Sequence, residues 1–199
     1  MILDLSSYNG VIDWDKLTTE NDIERVILRS TTKNGKLDTM FINNANAAKA
    51  HGVPIDIYKF SYAIDCQTAY KECLEVASAV SKTGITYVNL WLDIENDGAT
   101  RWTKERAFNV IAGYHSCYYG YEGDWFTNMS GFIGIYCNFD YYLRVLSDVH
   151  KSREPLWIAR WTNGKLGIEG AKNIFYWQYT SIGRVSGING NVDISRKVN

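Results

Sequence analysis

The chain has 199 residues, the length of one domain or one plus a short appendage. Lys and Arg total 21 against 22 Asp and Glu, so the net charge of −1 gives no electrostatic case for a nucleic-acid or anionic-membrane partner. Hydrophobic residues at 46% and charged residues at 22% exclude disorder, collagen and coiled coil as the main class, while aromatics at 14%, with 7 Trp and 14 Tyr, point to surfaces that stack on flat or sugar-like ligands.

The chain opens with Met1-Ile-Leu-Asp-Leu-Ser6, which has neither a basic segment nor a long apolar one, so no secretory signal peptide is expected. No apolar run reaches the length of about 18 residues that a spanning helix needs. A first strand is predicted over 2–5 and a short helix near 14–20. A second strand covers 25–31, and the helix over 40–50 stops at His51-Gly52. The third strand, 54–60, is followed by a helix over 67–82. That helix carries Ala69, Tyr70, Cys73, Ala77 and Val80 on one face and stops at Gly84. The fourth strand, 86–95, leads to a helix over 104–119 with Ala107, Ile111, Tyr114 and Tyr118 on one face and a stop at Gly120. A fifth strand, 132–138, is followed by a short helix near 139–147. Strands at 155–161, 174–180 and 190–194 then follow without helices, because 162–173 is glycine-rich and 181–189 reads as a loop.

Five strand–helix units and three bare strands predict an α/β fold with a parallel sheet, closed by its eight strands into a barrel, (β/α)5β3. A full eightfold strand–helix barrel takes about 250 residues, more than the 199 present. Cys66, Cys73, Cys117 and Cys137 form no C-x-x-C pair and read as buried free thiols. His51, His115 and His150 lack metal-ligand spacing, so neither a metal site nor a cofactor is expected.

In such a barrel the chemistry gathers at the carboxyl ends of the strands. The fourth strand ends Leu90-Trp-Leu-Asp-Ile-Glu95. Alternation puts Trp91, Asp93 and Glu95 on one face, with the two acidic residues roughly 6.6–7 Å apart at Cα. Paired carboxyls on that scale carry out glycoside chemistry. Asp4 on the first strand and Asp193 on the last would join them, since those strands are neighbours in a closed barrel. Clustered like charges raise at least one pKa, which is how a Glu is kept protonated to act as an acid near neutral pH. Sugar platforms and hydrogen-bonding groups are expected from Phe60, Tyr62, Tyr136, Trp161, Gln178 and Tyr179 at strand ends. Trp157 and Trp177 read as barrel packing.

These residues resemble those of the glycoside hydrolase family 25 muramidases, the Chalaropsis-type lysozymes, many of them phage endolysins. The resemblance runs through Asp4-Leu-Ser-Ser-Tyr-Asn-Gly-Val-Ile-Asp-Trp14, Tyr58-Lys-Phe-Ser-Tyr-Ala63 and Leu92-Asp-Ile-Glu95. It continues through Gly134-Ile-Tyr136, Leu156-Trp-Ile-Ala159, Trp177-Gln-Tyr-Thr180 and Gly187-Ile-Asn-Gly-Asn-Val-Asp193. It implies a flattened TIM-like barrel, with 1–199 a single catalytic domain. It also implies cleavage of the β-1,4 bond from N-acetylmuramic acid to N-acetylglucosamine. In that scheme Glu95 is general acid and base, and Asp93 orients the substrate's 2-acetamido group as internal nucleophile. Asp4 and Asp193 tune Glu95, although the division of labour between Asp93 and Asp193 stays open. Two departures fall where the family's groove would lie: Arg29-Ser-Thr-Thr32 replaces a Lys-Ala-Thr-Glu-Gly-like run, and Lys59 stands where His is frequent. Arg29 and Lys59 are therefore expected beside the substrate.

The expected partner is bacterial peptidoglycan, met by a monomer without nucleic acid or membrane. A wall hydrolase lacking a signal peptide is expected to collect in the producing cytoplasm and act on the wall after release. Many relatives carry a C-terminal wall-binding module, which is not seen in this chain. A chitinase-type enzyme would place another Asp two residues before Asp93, where Trp91 stands. A magnesium-dependent phosphohydrolase would need a phosphate cradle, which the sequence lacks. A catalytically impaired wall-binding module is the remaining alternative, and retention of all four carboxylates argues against it.

Overall fold

The computed structural model describes residues 1–86, 88–95, 101–120, 131–147, 154–168, 171 and 173–198. His150 and parts of several predicted connections lie outside them. Among the described residues eight strands close a barrel in the order β1 to β8. They are β1 (Ile2–Leu5), β2 (Arg25–Arg29), β3 (Ile55–Phe60), β4 (Leu90–Asp93), β5 (Ile133–Asn138), β6 (Leu156–Ala159), β7 (Ile174–Gly183) and β8 (Val192–Lys197). The helices α1 (Trp14–Glu20), α2 (Phe41–Ala50), α3 (Cys66–Ser81) and α4 (Lys104–Gly120) follow the first four strands. A helical turn α5 (Phe139–Tyr141), continued by a π-helical turn over Tyr142–Leu146, follows the fifth.

Local chemistry accounts for the boundaries. Asp13 caps α1 by accepting the Lys16 N–H at 3.1 Å. Asp65 and Thr68 form a capping box at the start of α3. Asn138 accepts the Tyr141 N–H at 2.9 Å, turning β5 into α5. The predicted faces of α3 and α4 are the buried ones: Ala69, Cys73, Ala77, Val80, Ala107, Ile111, Tyr114 and Tyr118 all lie in the core, with Tyr70 partly buried against it.

Three predicted features are corrected. Strands β1 through β7 pair in parallel, but β8 runs antiparallel to both β7 and β1. The connection from β7 to β8 is too short for the crossover that a parallel partner requires. The same antiparallel partner extends β7 to Gly183, opposite Val192, so 181–183 is strand where a loop was expected. Cys66 is exposed, whereas Cys73, Cys117 and Cys137 are buried as expected.

Strand alternation divides the core in two. Outward-facing Leu3, Val26, Leu28, Ile57, Leu90, Leu92, Ile133, Ile135 and Ile158 pack with the helices. Inward-facing Ile2, Ile27, Trp91, Tyr136, Trp157, Ala159 and Tyr176 fill the barrel itself. The Trp91 ring lies 5.9 Å from Trp157 and 5.1 Å from Tyr176. At the amino end of the strands, buried Asp56 accepts from Arg25 at 2.7 Å, Asn89 at 3.0 Å and the Trp91 indole at 3.2 Å. A polar plug and an aromatic layer thus lie beneath the mouth.

Gly134 faces Trp91 across the β4–β5 pairing. A Cβ there would lie 2.4 Å from Cζ3 and 2.6 Å from Cε3 of that ring. Gly134→Ala is therefore expected to lower unfolding free energy by about 1–3 kcal/mol. Urea denaturation followed by tryptophan fluorescence measures it.

Candidate active site

The carboxyl ends of the strands open into a cavity of about 630 Å³, within the usual range of small-molecule clefts. Asp4, Asp93, Glu95 and Asp193 all line it. Each arrives there by parity. Asp93 and Glu95 share the inward face with Trp91, as their spacing predicts. Asp4 stands two residues beyond Ile2 on β1. The antiparallel register sets Asp193 directly opposite Asp4.

Their electrostatics follow from confinement among like charges. Glu95 is pushed up to about 7, first by burial and then by Asp193. Burial, followed by Glu95, Asp4 and Asp193, holds Asp93 well above the usual carboxylate range. Burial, then the charge of Asp193 and a hydrogen bond to it, hold Asp4 well above the usual carboxylate range, and burial raises Asp193 as well. Asp93 is 4% exposed, and its Oδ1 has no hydrogen-bond partner among the described residues.

Gln178 ties one side of the mouth together. Its Nε2 donates to Asp4 Oδ2 at 3.0 Å, and its Oε1 accepts from Tyr136 at 3.1 Å and from the Trp161 indole at 3.0 Å. Gln178 and Tyr136 line the cavity. Trp161 stands outside that lining, 64% exposed. Phe60 and Tyr62 line the opposite wall as an aromatic pair with ring centroids 4.9 Å apart. Arg29 lines it as well, donating to Asp38 at 2.8 Å and Ser7 at 2.9 Å, with its guanidinium 4.7 Å from the centre of the Tyr8 ring.

Lys59 and Tyr179 are not brought to the cavity. Each directly neighbours an inward residue, Phe60 and Gln178, and therefore faces outward. Lys59 is fully buried and donates to the Thr32 carbonyl at 2.8 Å. Tyr179 packs outside the barrel against Trp177 and Arg196. Trp177 lies on that outer face too, whereas Trp157 helps line the cavity. Tyr8, Tyr58 and Asn191 line the cavity without having been singled out. Tyr58 has the same parity as Phe60, so alternation could have found it. Tyr8 sits on a one-turn 3-10 segment over Ser7–Asn9, fixed by a Ser6/Asn9 capping box that apolar periodicity does not register.

Paired carboxyls in the mouth of a strand–helix barrel, one of them protonated near neutral pH, are the equipment of a glycoside hydrolase. The sequence pattern of Glycosyl hydrolases family 25 matches residues 3–188, and the chain belongs to that family. Solved structures agree on the fold. The autolysin LytC of Streptococcus pneumoniae, in complex with a synthetic peptidoglycan ligand, superposes with a TM-score of 0.82 at 25% identity, over 98% of this chain and 45% of that one. The chain thus spans under half the length of LytC. A lysozyme from Streptomyces coelicolor gives 0.76 at 18% identity, over 99% of this chain and 91% of that one. The catalytic domain of endolysin ply40, from bacteriophage P40 of Listeria monocytogenes, gives 0.71 at 22%, over 98% and 90%. No curated protein sequence matches the chain.

A carboxyl whose native pKa lies above its unfolded value binds its proton more tightly when folded. Its contribution to stability is full below the unfolded value and is lost as pH rises through the native one. For Glu95 that window runs from 4.5 to about 7. Glu95→Gln abolishes the titration. The variant is expected to match the wild type at about pH 4 and to exceed it by roughly 3 kcal/mol at about pH 8. Thermal unfolding across the range checks both ends.

Proposed function

We propose that the protein is an N-acetylmuramidase that cleaves the β-1,4 bond between N-acetylmuramic acid and N-acetylglucosamine in bacterial peptidoglycan. The observation that carries this reading is the unpartnered buried oxygen of Asp93, two residues from a Glu95 that keeps its proton to about pH 7. A buried acceptor without a donor suits an N–H brought by the ligand, and the 2-acetamido group of an amino sugar supplies one. The family membership and the peptidoglycan ligand of LytC support the substrate class.

In the proposed reaction Asp93 accepts the acetamido N–H and turns the amide carbonyl oxygen toward C1. That oxygen forms a bond to C1 as the bond from C1 to the glycosidic oxygen breaks. Glu95 gives its proton to the departing oxygen. Water then attacks C1, the Glu95 carboxylate takes up its proton, and the amide carbonyl is released. Two displacements at C1 retain its configuration. Burial and the neighbouring Asp193 favour the protonated form of Glu95, so it recovers its acid form between turnovers. Phe60 and Tyr62 give sugar rings an apolar face on which to stack.

Purified Gram-positive peptidoglycan, digested and then reduced with borohydride, tests the reading. New muramic ends from the wild type but not from Glu95→Gln are expected. Reduced glucosamine ends would overturn the bond assignment, and wall binding without new ends would favour an impaired binding module. Because the protonated form of Glu95 is the active one, kcat is expected to fall as pH rises through about 7. Asp93→Asn is expected to lower kcat by about 100-fold, read from initial rates of reducing-end release.

A further inference from the structure

Strand β4 ends at Asp93, and Glu95 stands two residues beyond it. The ladder reaches as far as the Ile94 N–H, which donates to the Tyr136 carbonyl at 2.8 Å. The Glu95 carbonyl receives its hydrogen bond from elsewhere: the indole N–H of Trp102 donates to it at 2.7 Å. Trp102 precedes α4 and is 2% exposed. Arg106, on the first turn of α4, lays its guanidinium 4.0 Å from the centre of the Trp102 ring and donates from Nε to the Ala63 carbonyl at 2.8 Å.

Ala63 belongs to the segment after β3 that carries Tyr62. Glu72 of α3 fixes the same segment, accepting the Ser61 hydroxyl at 2.8 Å, the Tyr62 N–H at 2.8 Å and the Tyr114 hydroxyl at 3.1 Å. A continuous set of buried contacts thus runs from the aromatic wall of the cavity, through α3 and α4, to the backbone of Glu95.

We propose that Trp102 is a positioning residue: its N–H, braced by Arg106 against Ala63, sets where the Glu95 carboxyl stands relative to Asp93 and Asp193. Side-chain packing alone would not need the N–H. Phenylalanine at this position would keep an aromatic face for Arg106 while removing the donor and part of the buried ring volume. The Glu95 backbone, already past the end of the sheet, would then have one restraint fewer, and its side chain could turn toward water. The titratable and charged groups that share the cavity with Glu95 are Asp93 on the strand leading to it, Asp4 of β1, Tyr58 of β3 and Tyr62 just after it, Tyr136 of β5 and Asp193 of β8, with Tyr8, Arg29 of β2 and Lys33 on the same wall. Trp102→Phe alters none of them.

The inference rests on Glu95 being the acid, and its test has one arm that does not depend on activity. In protein carrying 13C-labelled glutamate, the Glu95 carboxyl resonance is assigned by its loss in Glu95→Gln and then titrated in wild type and in Trp102→Phe. The midpoint, about 7 in the wild type, is expected to fall by at least about half a unit in the variant as the carboxyl gains water. On peptidoglycan the variant is expected to lose about tenfold in kcat with KM within about twofold, and the alkaline limb of its rate profile moves to lower pH. Arg106→Lys, which keeps the charge and removes the fork, is expected to move both readouts the same way by less, and it carries the test if Trp102→Phe fails to fold. An unchanged Glu95 midpoint in a folded variant overturns the proposal. A wild type that leaves muramyl bonds intact overturns the hydrolase reading, and the titration still decides the positioning role.

Discussion

Strand β8 returns beside β1, and the register sets Asp193 across from Asp4. Directly opposed like charges destabilise a strand pair, and here the pair opens onto a cavity that already holds Asp93 and Glu95. Of the cations on the cavity wall, Arg29 is committed to Asp38 and Ser7, and Lys33 lies over the Tyr62 ring. Closing the barrel therefore raises the proton affinity of the clustered carboxyls. The hydrogen bond between Asp4 and Asp193 offsets part of their repulsion. The raised affinity of Glu95 for its own proton follows from the same crowding. The strand that closes the sheet also carries Asp193, which adds to the effect of burial in raising Glu95.

The rest of the molecule keeps that cluster from relaxing. Trp91, Trp157 and Tyr176 interlock beneath it, so the carboxyls cannot sink into the barrel. Gln178 uses both ends of its amide to hold Asp4 and Tyr136, and the Trp157 indole is fixed by Ser195 at 2.9 Å. Outward residues of the same strands are almost wholly apolar and lock the sheet to its helices. Hydrophobic burial on the outer face thus supports charge confinement on the inner one. This fits the observation that functional sites store unfavourable electrostatics which their surroundings over-determine.

Much of this was legible in the sequence. The switch between periods of two and 3.6 residues marked five strand–helix units. The spacing of Asp93 and Glu95 fixed their shared face. Less legible was anything that depends on partners distant in sequence. The direction of β8 follows from the length of a connection, and the extent of β7 from the hydrogen bonds its neighbour offers. Lys59 and Tyr179 were mistaken for cavity residues because each sits beside a genuine one, although strand alternation sends neighbours to opposite faces. Trp102 could not be recognised from pattern at all, since its contribution is a single N–H aimed at a carbonyl seven residues earlier.

The interior of the barrel is occupied along its length. Aromatic rings fill the middle, and Asp56 with Arg25, Asn89 and Trp91 closes the end below them. Among the described residues the cylinder is a blind cup, closed below its mouth. Whatever binds there enters and leaves by the same opening, and a bound molecule must clear the cup before another can occupy it.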